Sequence, residues 1–379
     1  MQKQLLLLIA LLFIFSCKND EKSFPISENK NQNSKIEFAN GFTIAYHDGY
    51  KVITLKNAWP GTEKVFTYAL VEKGVSIDSS EKYDAIIKVP INEIVVTSTT
   101  HIPSLEMLGV SNTLVGFPNL DYISSDETRK RINDGFVSEL GKNEDINTEV
   151  LIELNPDLVV GFAVDGNNKA FNTLKKTGIP VVYNSDWTEF NPLGKAEWIK
   201  FFAAFYNKEK MADSIFSEIK NNYQEAKALA QNAKSSPTVL SGAMYKDVWY
   251  LPQGKSWAAQ FITDANGDYL WKESAGTGSL SLNIESVLDK GAQAEFWIGP
   301  SYYTSLQQLK EAHNVYQQFD AFKNDNVYSF ANKKGETGGL LYFELAPNRP
   351  DLVLKDIIKI LHPELLPEYD FYFFSKLKN

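Results

Sequence analysis

The chain has 379 residues, with 38 lysine and arginine residues against 47 aspartate and glutamate residues and a formal net charge of −9. The basic residues form no stripe along the sequence, and the phosphate backbone repels an acidic chain, so we expect no nucleic-acid partner. A single cysteine excludes a disulfide bond within the chain.

The amino terminus has the pattern of a signal peptide over residues 1–16. Lys3 precedes an unbroken apolar run over residues 5–15, and Ser16 follows it. As a helix this run spans ~16 Å, about half of a ~30 Å hydrocarbon core. A basic start, a short apolar run and a small residue before a cleavage point are typical of secreted proteins. The alternative is an anchor helix that is never removed.

Cys17 follows this segment directly. Residues 14–17 (IFSC) resemble the lipobox of bacterial lipoproteins, in which the cysteine is acylated and becomes the first residue of the mature chain. The resemblance implies a lipid bilayer as partner, because two or more acyl chains give stable anchoring. The alternative is a free cysteine in a soluble chain. Residues 17–35 are then the lipidated cysteine and a disordered tether, too poor in apolar side chains to fold.

Residues 36–90 alternate apolar and polar side chains in short runs, as over residues 42–46 and 50–55. Turn residues such as Asp48 and Gly49 separate the runs. This alternation predicts antiparallel strands, which we interpret as a β extension leaning on the first of two lobes. Two lobes are expected because the chain that follows the tether is too long for one hydrophobic core.

Continuous apolar strands alternate with helices over residues 91–190 and again over residues 234–379. This order predicts two α/β lobes, each with a parallel sheet covered on both faces. The predicted strands are residues 94–97, 114–117, 158–162 and 181–183 in the first lobe and 238–241, 296–299 and 327–330 in the second, with a closing helix over residues 351–361.

A helical tract over residues 191–233 separates the lobes. Residues 195–206 are predicted as one helix. Over residues 209–231, apolar side chains recur at helical spacing, and a helix of this length is ~35 Å long, which suits a strut between lobes. Its apolar positions are Met211, Ile215, Ile219, Tyr223, Ala226 and Ala230. The predicted fold is therefore α/β, with two Rossmann-like lobes bridged by one long helix and an N-terminal β extension.

Three segments resemble the periplasmic binding proteins that deliver ferric siderophores, haem and cobalamin to ABC importers. They are residues 93–110 (EIVVTSTTHIPSLEMLGV), 147–161 (NTEVLIELNPDLVVG) and 345–367 (LAPNRPDLVLKDIIKILHPELLP). The resemblance implies a monomeric carrier that holds a small-molecule metal chelate in a cleft between lobes that rock only slightly. It also implies a lipid-anchored periplasmic location, membrane subunits of an importer as partners, and no cofactor.

A weak internal repeat begins at Asn147-Thr148-Glu149 and again at Asn283-Ile284-Glu285. Both glutamates stand at predicted helix starts, where the helix dipole favours a carboxylate. The resemblance to the binding-protein family implies a second role, because that family uses one such glutamate per lobe to dock arginines of the transporter.

Ligands of open α/β sheets bind at the carboxyl ends of the strands, where the crevice lies. Aromatic side chains there suit a large planar or aromatic chelate, although each one could instead pack within its own lobe. Arg349 lies between two prolines ahead of the last helix and could pair with an acidic ligand group or with Asp351. The other candidate ligand-binding residues are Thr99, Thr100, Tyr122, Trp187, Tyr245, Trp249, Trp257 and Tyr302.

Patterns of catalysis and of direct metal binding are missing from the sequence. It contains neither His-Glu-x-x-His nor Gly-x-Ser-x-Gly nor a glycine-rich phosphate loop. His101 is the one histidine in a strand-end loop, and we interpret it as buried rather than as a metal ligand. The sequence therefore predicts a binding protein without catalytic or metal-ligating residues. The alternatives are a surface-exposed capture lipoprotein serving an outer-membrane receptor, and a secreted α/β hydrolase.

Overall fold

The computed structural model describes residues 35–77, 82–143, 145–166 and 168–379. The predicted signal peptide and Cys17, the predicted acylation site, lie outside the described residues, as does almost all of the tether. Among the described residues, no helix combines the length and the apolar character needed to cross a bilayer.

The alternating segment after the tether forms a four-stranded sheet, β1 (Phe42–His47), β2 (Tyr50–Leu55), β3 (Phe66–Glu72) and β4 (Ala85–Val89), in that order. The first two pairs are antiparallel as predicted, but β4 runs parallel to β3. The connection over residues 73–84 is long enough for the crossover that a parallel pair requires. The inward side chains of this sheet, including Tyr68, belong to the core of the first lobe.

The first lobe contains β5 (Ile94–Val96), β6 (Leu114–Phe117), β7 (Ser138–Glu139), β8 (Gly141–Lys142), β9 (Asp145–Ile146), β10 (Leu158–Phe162) and β11 (Val181–Asn184). Its helices are α1 (Ile102–Met107), α2 (Asp126–Asn133), α3 (Thr148–Leu154) and α4 (Lys169–Thr177). The sheet order is β11-β10-β5-β6-β7 with every pair parallel, as the continuous apolar strands predict. Strands β8 and β9 form a separate antiparallel pair.

The helical tract consists of α5 (Pro192–Ala196), α6 (Ile199–Ala204) and α7 (Glu209–Ala230). The single helix predicted over residues 195–206 is wrong, because the amides of Trp198 and Lys200 bond to carbonyls only three residues back and tighten the chain there. The long helix is confirmed. In α7, Phe216 lies in the core of the first lobe and Tyr223 in the core of the second, so this helix joins the two.

The second lobe contains β12 (Thr238–Ser241), β13 (Ala243–Tyr245), β14 (Val248–Pro252), β15 (Asp268–Tyr269), β16 (Ser279–Leu282), β17 (Phe296–Ile298), β18 (Val327–Ser329) and β19 (Ser375–Lys376). Its helices are α8 (Trp257–Asp264), α9 (Ile284–Gly291), α10 (Leu306–Ala312), α11 (Asp320–Lys323), α12 (Leu341–Leu345) and α13 (Pro350–Leu361). The main sheet has the order β15-β12-β17-β18-β19, parallel except for β19. A three-stranded antiparallel sheet, β13-β14-β16, was not predicted. The two-lobed α/β fold itself is confirmed.

Residues 35–41, which we call the strap, are held by two buried carboxylates of the helical tract and its preceding loop. Glu197 accepts hydrogen bonds from the backbone amides of residues 37–39, at 2.6–3.0 Å. Glu189 accepts from the amides of residues 40 and 41, at 2.7 and 2.8 Å. The strap therefore satisfies its backbone donors with side chains about 150 residues away rather than with a sheet or helix partner.

The strap also contacts both lobes through side chains. Phe38 packs against the hydrophobic cores of the first and the second lobe. The Nζ of Lys200 donates to the carbonyl of Lys35 at 2.6 Å and to Glu197 at 3.0 Å. A Cβ at Gly41 would lie 2.7 Å from the ring of Trp198, so the close approach of the strap requires glycine there. The strap is thus a built part of the junction between the lobes.

Candidate functional site

A cavity of about 700 Å³ lies between the lobes at the carboxyl ends of their strands. The first lobe contributes residues after β5, after β6 and at the end of β10, and the second contributes residues after β17 and after β18. This is the position at which open α/β sheets bind ligands. The lining residues used below are Ser98, Thr99, Phe117, Tyr122, Lys142, Phe162, Tyr302, Lys334 and Phe343.

The first-lobe side of the cavity is shaped by two loops. After β5, Thr97 accepts a hydrogen bond from the amide of Phe162 at 3.0 Å, which joins the ends of β5 and β10. After β6, the carboxylate of Glu139 accepts from the amides of Asn119 and Leu120, both at 3.0 Å. These contacts hold the loop that presents Tyr122, whose side chain is 63% exposed.

The chemistry of the lining is cationic and aromatic. Lys142 from the first lobe and Lys334 from the second are both exposed, and no aspartate or glutamate is among the described residues of the lining. Exposed aromatic rings face the same space, with Tyr302 67% and Phe343 44% exposed. A cavity of this size, with apolar faces and few charged groups of one sign, suits a bulky anionic ligand.

Direct contacts between the lobes lie beneath this cavity. The Oε2 of Glu344 in α12 accepts a hydrogen bond from the amide of Ser124 at 2.6 Å. The Nδ2 of Asn348 donates to the carbonyl of Thr100 at 2.8 Å. A Cβ at Gly339 would lie 2.3 Å from the carbonyl oxygen of Tyr122, so backbone meets backbone across the junction. The two lobes are therefore in direct contact at these residues, which we call the floor of the cavity.

Glu344 is a titratable group in this floor. Burial raises the pKa of the Glu344 carboxyl to about 7, the hydrogen bond from Ser124 opposes that rise, and the nearby carboxyl of Glu106 adds to it. A carboxyl with a raised pKa holds its proton longer in the folded state than in the unfolded state. This carboxyl group therefore stabilises the fold at low pH, and the stabilisation is lost as the pH rises to about 7.

Three of the predicted ligand-binding residues lie in this cavity. Thr99, Tyr122 and Tyr302 all line it, and they come from both lobes. Their place at strand ends is what the sequence analysis used to select them. Their contact with a ligand stays a prediction.

The structure assigns Thr100 and Arg349 to local contacts instead of the cavity. The Oγ1 of Thr100 donates to Asp186 at 2.7 Å, and the Thr100 carbonyl belongs to the lobe floor. The guanidinium of Arg349 donates to both carboxylate oxygens of the fully buried Asp351, at 2.9 and 2.8 Å. A guanidinium committed to a bidentate pair has little left for a ligand.

Trp249 is a core residue, which corrects its prediction as a cavity residue. Its side chain is 0% exposed and packs against Trp297, Tyr316 and Phe319 at ring-centroid distances of 5.4–5.6 Å. Its Nε1 donates to the carbonyl of Ser241 at 3.0 Å. The reason is the unpredicted sheet, since β14 directs alternate side chains into the lobe.

The other predicted aromatic residues line two further cavities. Tyr245, 67% exposed, lies with Tyr250, Tyr302 and Tyr303 around a cavity of about 720 Å³ on the second lobe. Trp187 and Trp257 line a cavity of about 480 Å³ bordered by the β extension. The residues predicted to share one site therefore line three cavities, two of which have Tyr302 in common.

Sequence reasoning missed both lysines of the interlobe cavity. Lys334 follows β18, so the strand-end rule that selected Tyr302 after β17 could have found it. Lys142 had no such signal, because it belongs to β8, a strand of two residues that no periodicity reveals.

Glu149 and Glu285 occupy equivalent positions on the two lobes. Each is exposed in the first turn of its helix, α3 or α9. Each helix begins with an asparagine cap, in which Asn147 accepts from the amide of Val150 at 3.2 Å and Asn283 from Ser286 at 2.8 Å. The repeat seen in the sequence is therefore also a repeat of local structure.

His101 is fully buried and packs against Phe202 at 5.3 Å, so it does not reach the cavity. Burial lowers the pKa of His101, against the opposing effect of Asp186. Across the described ranges, no group of three or more histidine, cysteine, aspartate or glutamate residues is arranged to hold a metal ion.

Known proteins are similar to this chain in sequence or in fold. The uncharacterized lipoprotein MJ0878 of Methanocaldococcus jannaschii is 27% identical over 375 residues, which cover 93% of this chain and 88% of its own. The periplasmic heme binding protein HutB of Vibrio cholerae has a TM-score of 0.55 at 16% identity, covering 69% of this chain and 99% of its own. The periplasmic vitamin B12 binding protein BtuF of the same organism has a TM-score of 0.52 at 13% identity, covering 74% and 99%.

These two structures share the fold at low identity, which says nothing by itself about the ligand of this chain. The family is given by the sequence. Residues 94–333, more than half of the chain, match the family described as periplasmic binding protein, and the chain belongs to that family.

Proposed function

We propose that this protein is a lipid-anchored solute-binding protein that captures an anionic metal chelate between its lobes and delivers it to an ABC importer. The observation that carries the proposal is the interlobe cavity, which combines a lysine from each lobe with exposed aromatic rings and has no carboxylate among its described lining residues. The similar structures named for heme and vitamin B12 binding support a bulky chelate as the ligand class.

The charge of the cavity favours some chelates over others. The whole chain has a net charge of −9, so an anionic ligand enters only where local cations outweigh the overall field. Lys142 and Lys334 supply such cations at opposite sides of the cavity. A ferric siderophore with catecholate arms, or haem with its propionates, meets this requirement better than uncharged cobalamin does. The aromatic side chains would pack on the organic shell of the chelate.

Binding without catalysis is part of the proposal. A chelate arrives with its metal already coordinated, so the protein needs to recognise the shell rather than supply metal ligands or a nucleophile. The rigid junction agrees with this role, because α7 runs through both cores and resists wide hinge opening. The lobes would then close on the ligand by small movements only.

The lipid anchor is part of the proposal. Cys17 at the end of the predicted signal peptide is the acylation site that we propose. The names of two relatives from Methanocaldococcus jannaschii, the lipoproteins MJ0878 and MJ0872, support it.

The test of ligand class is a double charge reversal, Lys142→Glu with Lys334→Glu. We expect the affinity for a ferric tris-catecholate chelate to fall at least tenfold, because both favourable charges become repulsive. Affinity for uncharged cyanocobalamin, if measurable, should change far less. Fluorescence titration of the full chain with each chelate measures both.

The matched control is Lys73→Glu with Lys210→Glu, which makes the same change in net charge at two exposed lysines outside the cavity. It should leave the affinity for the ferric chelate within about threefold of the parent protein. Equal losses in the two double variants would mean that overall charge, and not the cavity, controls binding. Absence of ferric-chelate binding in the parent protein would contradict the proposed function itself.

We further propose that Glu149 and Glu285 dock the protein on its importer. Two exposed carboxylates at equivalent helix starts, one per lobe, would match arginines on a two-fold membrane dimer. The double variant Glu149→Arg with Glu285→Arg should keep its melting temperature and its chelate affinity, because exposed ion pairs add only about 0–1 kcal/mol to stability. Its stimulation of ATP hydrolysis by the importer in vesicles should fall at least tenfold.

The control for docking uses the same two helices. Glu153→Arg with Asp289→Arg places the same charge change about one turn further along α3 and α9, at residues that are also exposed. This variant should still stimulate the importer. Normal stimulation by the Glu149 and Glu285 variant would refute the docking role.

A further inference from the structure

The cavity of about 480 Å³ is separate from the interlobe cavity and shares no lining residue with it. Besides residues 40 and 41 of the strap, three parts of the chain build it. The β extension contributes residues 57 and 59–61, the turn after β11 contributes residues 187–190, and the second lobe contributes Trp257 and residues 277–278. Part of this wall thus lies outside residues 94–333, the segment that matches the family.

The distribution of tryptophan singles out this cavity. The chain has seven tryptophans, all within the described residues. Four are buried, with side chains at most 7% exposed: Trp198, Trp249, Trp271 and Trp297. The remaining three, Trp59, Trp187 and Trp257, all line this one cavity. Every incompletely buried tryptophan of the protein is therefore gathered at one place, one from each of the three parts.

The three rings do not fill the space by stacking on one another. Within the described structure, Trp59 packs against Phe66 and Tyr183 of the first lobe and its extension. Trp187 contacts Phe162 edge to face, and Trp257 contacts Phe261 and Tyr342. Each ring is thus supported from behind by its own part of the protein, which leaves the space between the three free for a ligand. Exposed apolar surface collected in this way marks a binding site.

The exposed polar groups around the rings are uncharged. Asn57 and Thr277 are exposed at the cavity, and no lysine or arginine is among its described lining residues. Its one carboxylate, Glu189, is buried and already accepts hydrogen bonds from Asn40, Gly41 and Trp198. The buried Lys195, whose Nζ lies 5.3 Å from the Trp257 ring centroid, offsets the negative charge. The cavity therefore offers neither a cation for an anionic ligand nor an available anion for a cationic one.

We propose that this cavity binds an uncharged saccharide. The C–H faces of a pyranose ring are apolar and pack on indole rings, whereas its hydroxyl groups require amide and hydroxyl partners such as Asn57 and Thr277. That pairing of aromatic faces with neutral polar groups is what the cavity provides. The site goes beyond chelate capture, because it favours an uncharged ligand whereas the interlobe cavity favours an anionic one.

The test is a glycan array probed with the full-length acylated protein in a detergent that carries no sugar. We expect binding to neutral oligosaccharides in preference to sialylated, sulfated or amino-sugar members. The strongest neutral glycan is then titrated while tryptophan fluorescence is followed. Trp187→Ala should weaken this binding at least tenfold, and Trp187 is exposed enough for the protein to fold without it.

Asn57→Gly is a second variant that does not depend on the aromatic packing. Asn57 has φ of 53°, a conformation that glycine adopts freely, so this change removes the amide without backbone strain. It should also lower the affinity for the glycan. Asn57→Gly should bind the ferric chelate as the parent protein does, because Asn57 does not line the interlobe cavity, and this separates the inference from the proposed function. Absence of neutral-glycan binding, a preference for charged glycans, or unchanged affinity in both variants would overturn it.

Discussion

Replacing Glu197 by glutamine is expected to lower the free energy of unfolding by about 3–5 kcal/mol, the usual cost of breaking a buried charged pair. The Glu197 carboxylate is 0% exposed and accepts hydrogen bonds from the strap amides of residues 37–39 and from Lys200. A glutamine of the same size keeps one acceptor oxygen but turns an NH₂ group toward the other donors, which leaves part-buried strap amides without an acceptor. Urea denaturation followed by fluorescence measures the loss.

The control for this experiment is Glu225→Gln, which removes the same charge from an exposed position on α7. Its stability should stay within about 0.5 kcal/mol of the parent protein. If Glu197→Gln were equally mild, the strap would not depend on this carboxylate. Hydrogen exchange at residues 37–39 would then distinguish a released strap from one held by other contacts.

Replacing Trp249 by alanine is expected to destabilise the protein by about 3–5 kcal/mol through the cavity that it leaves in the second core. Trp297, Tyr316 and Phe319 would lose their common neighbour, and the carbonyl of Ser241 would lose its donor. The folded fraction should still bind the ferric chelate, because Trp249 does not line the interlobe cavity. Thermal denaturation and a chelate titration well below the melting temperature measure the two effects.

Tyr245→Ala is the matched control, since Tyr245 lies on the neighbouring strand β13 and is 67% exposed. It should change stability by no more than about 0.5 kcal/mol. If Trp249→Ala instead weakened chelate binding without lowering stability, Trp249 would have to be assigned to the ligand-binding surface.

The fold could be predicted largely because it is encoded in local periodicity. The alternation of apolar strands with helices predicted both parallel sheets, and apolar residues at helical spacing predicted α7. The spacing was less reliable at the start of α7, where Met211 is 42% exposed while Ala212 and Phe216 are buried. Positions four residues apart drift around a helix of 3.6 residues per turn, so the apolar stripe is displaced by one residue there.

The candidate site was harder to predict because it depends on contacts between distant residues. The rule of strand ends selected Tyr122 and Tyr302, which line the interlobe cavity, but it cannot distinguish a cavity residue from one that an added sheet turns inward. Trp249 shows this limit. The strap could not be predicted for a related reason. The sequence of a helical tract does not show that its glutamates accept hydrogen bonds from backbone amides near residue 40.

The position of the strap also determines where a mechanical load from a membrane anchor would be transmitted to the folded protein. Lys35 is held by Lys200, and the residues after it are held by Glu197 and Glu189, beside the core of the first lobe, while Phe38 also contacts the core of the second. Tension transmitted through an acylated Cys17 would therefore reach the folded protein at residues that contact both lobes. None of residues 35–41 lines the interlobe cavity, so such tension would not act directly on the ligand site.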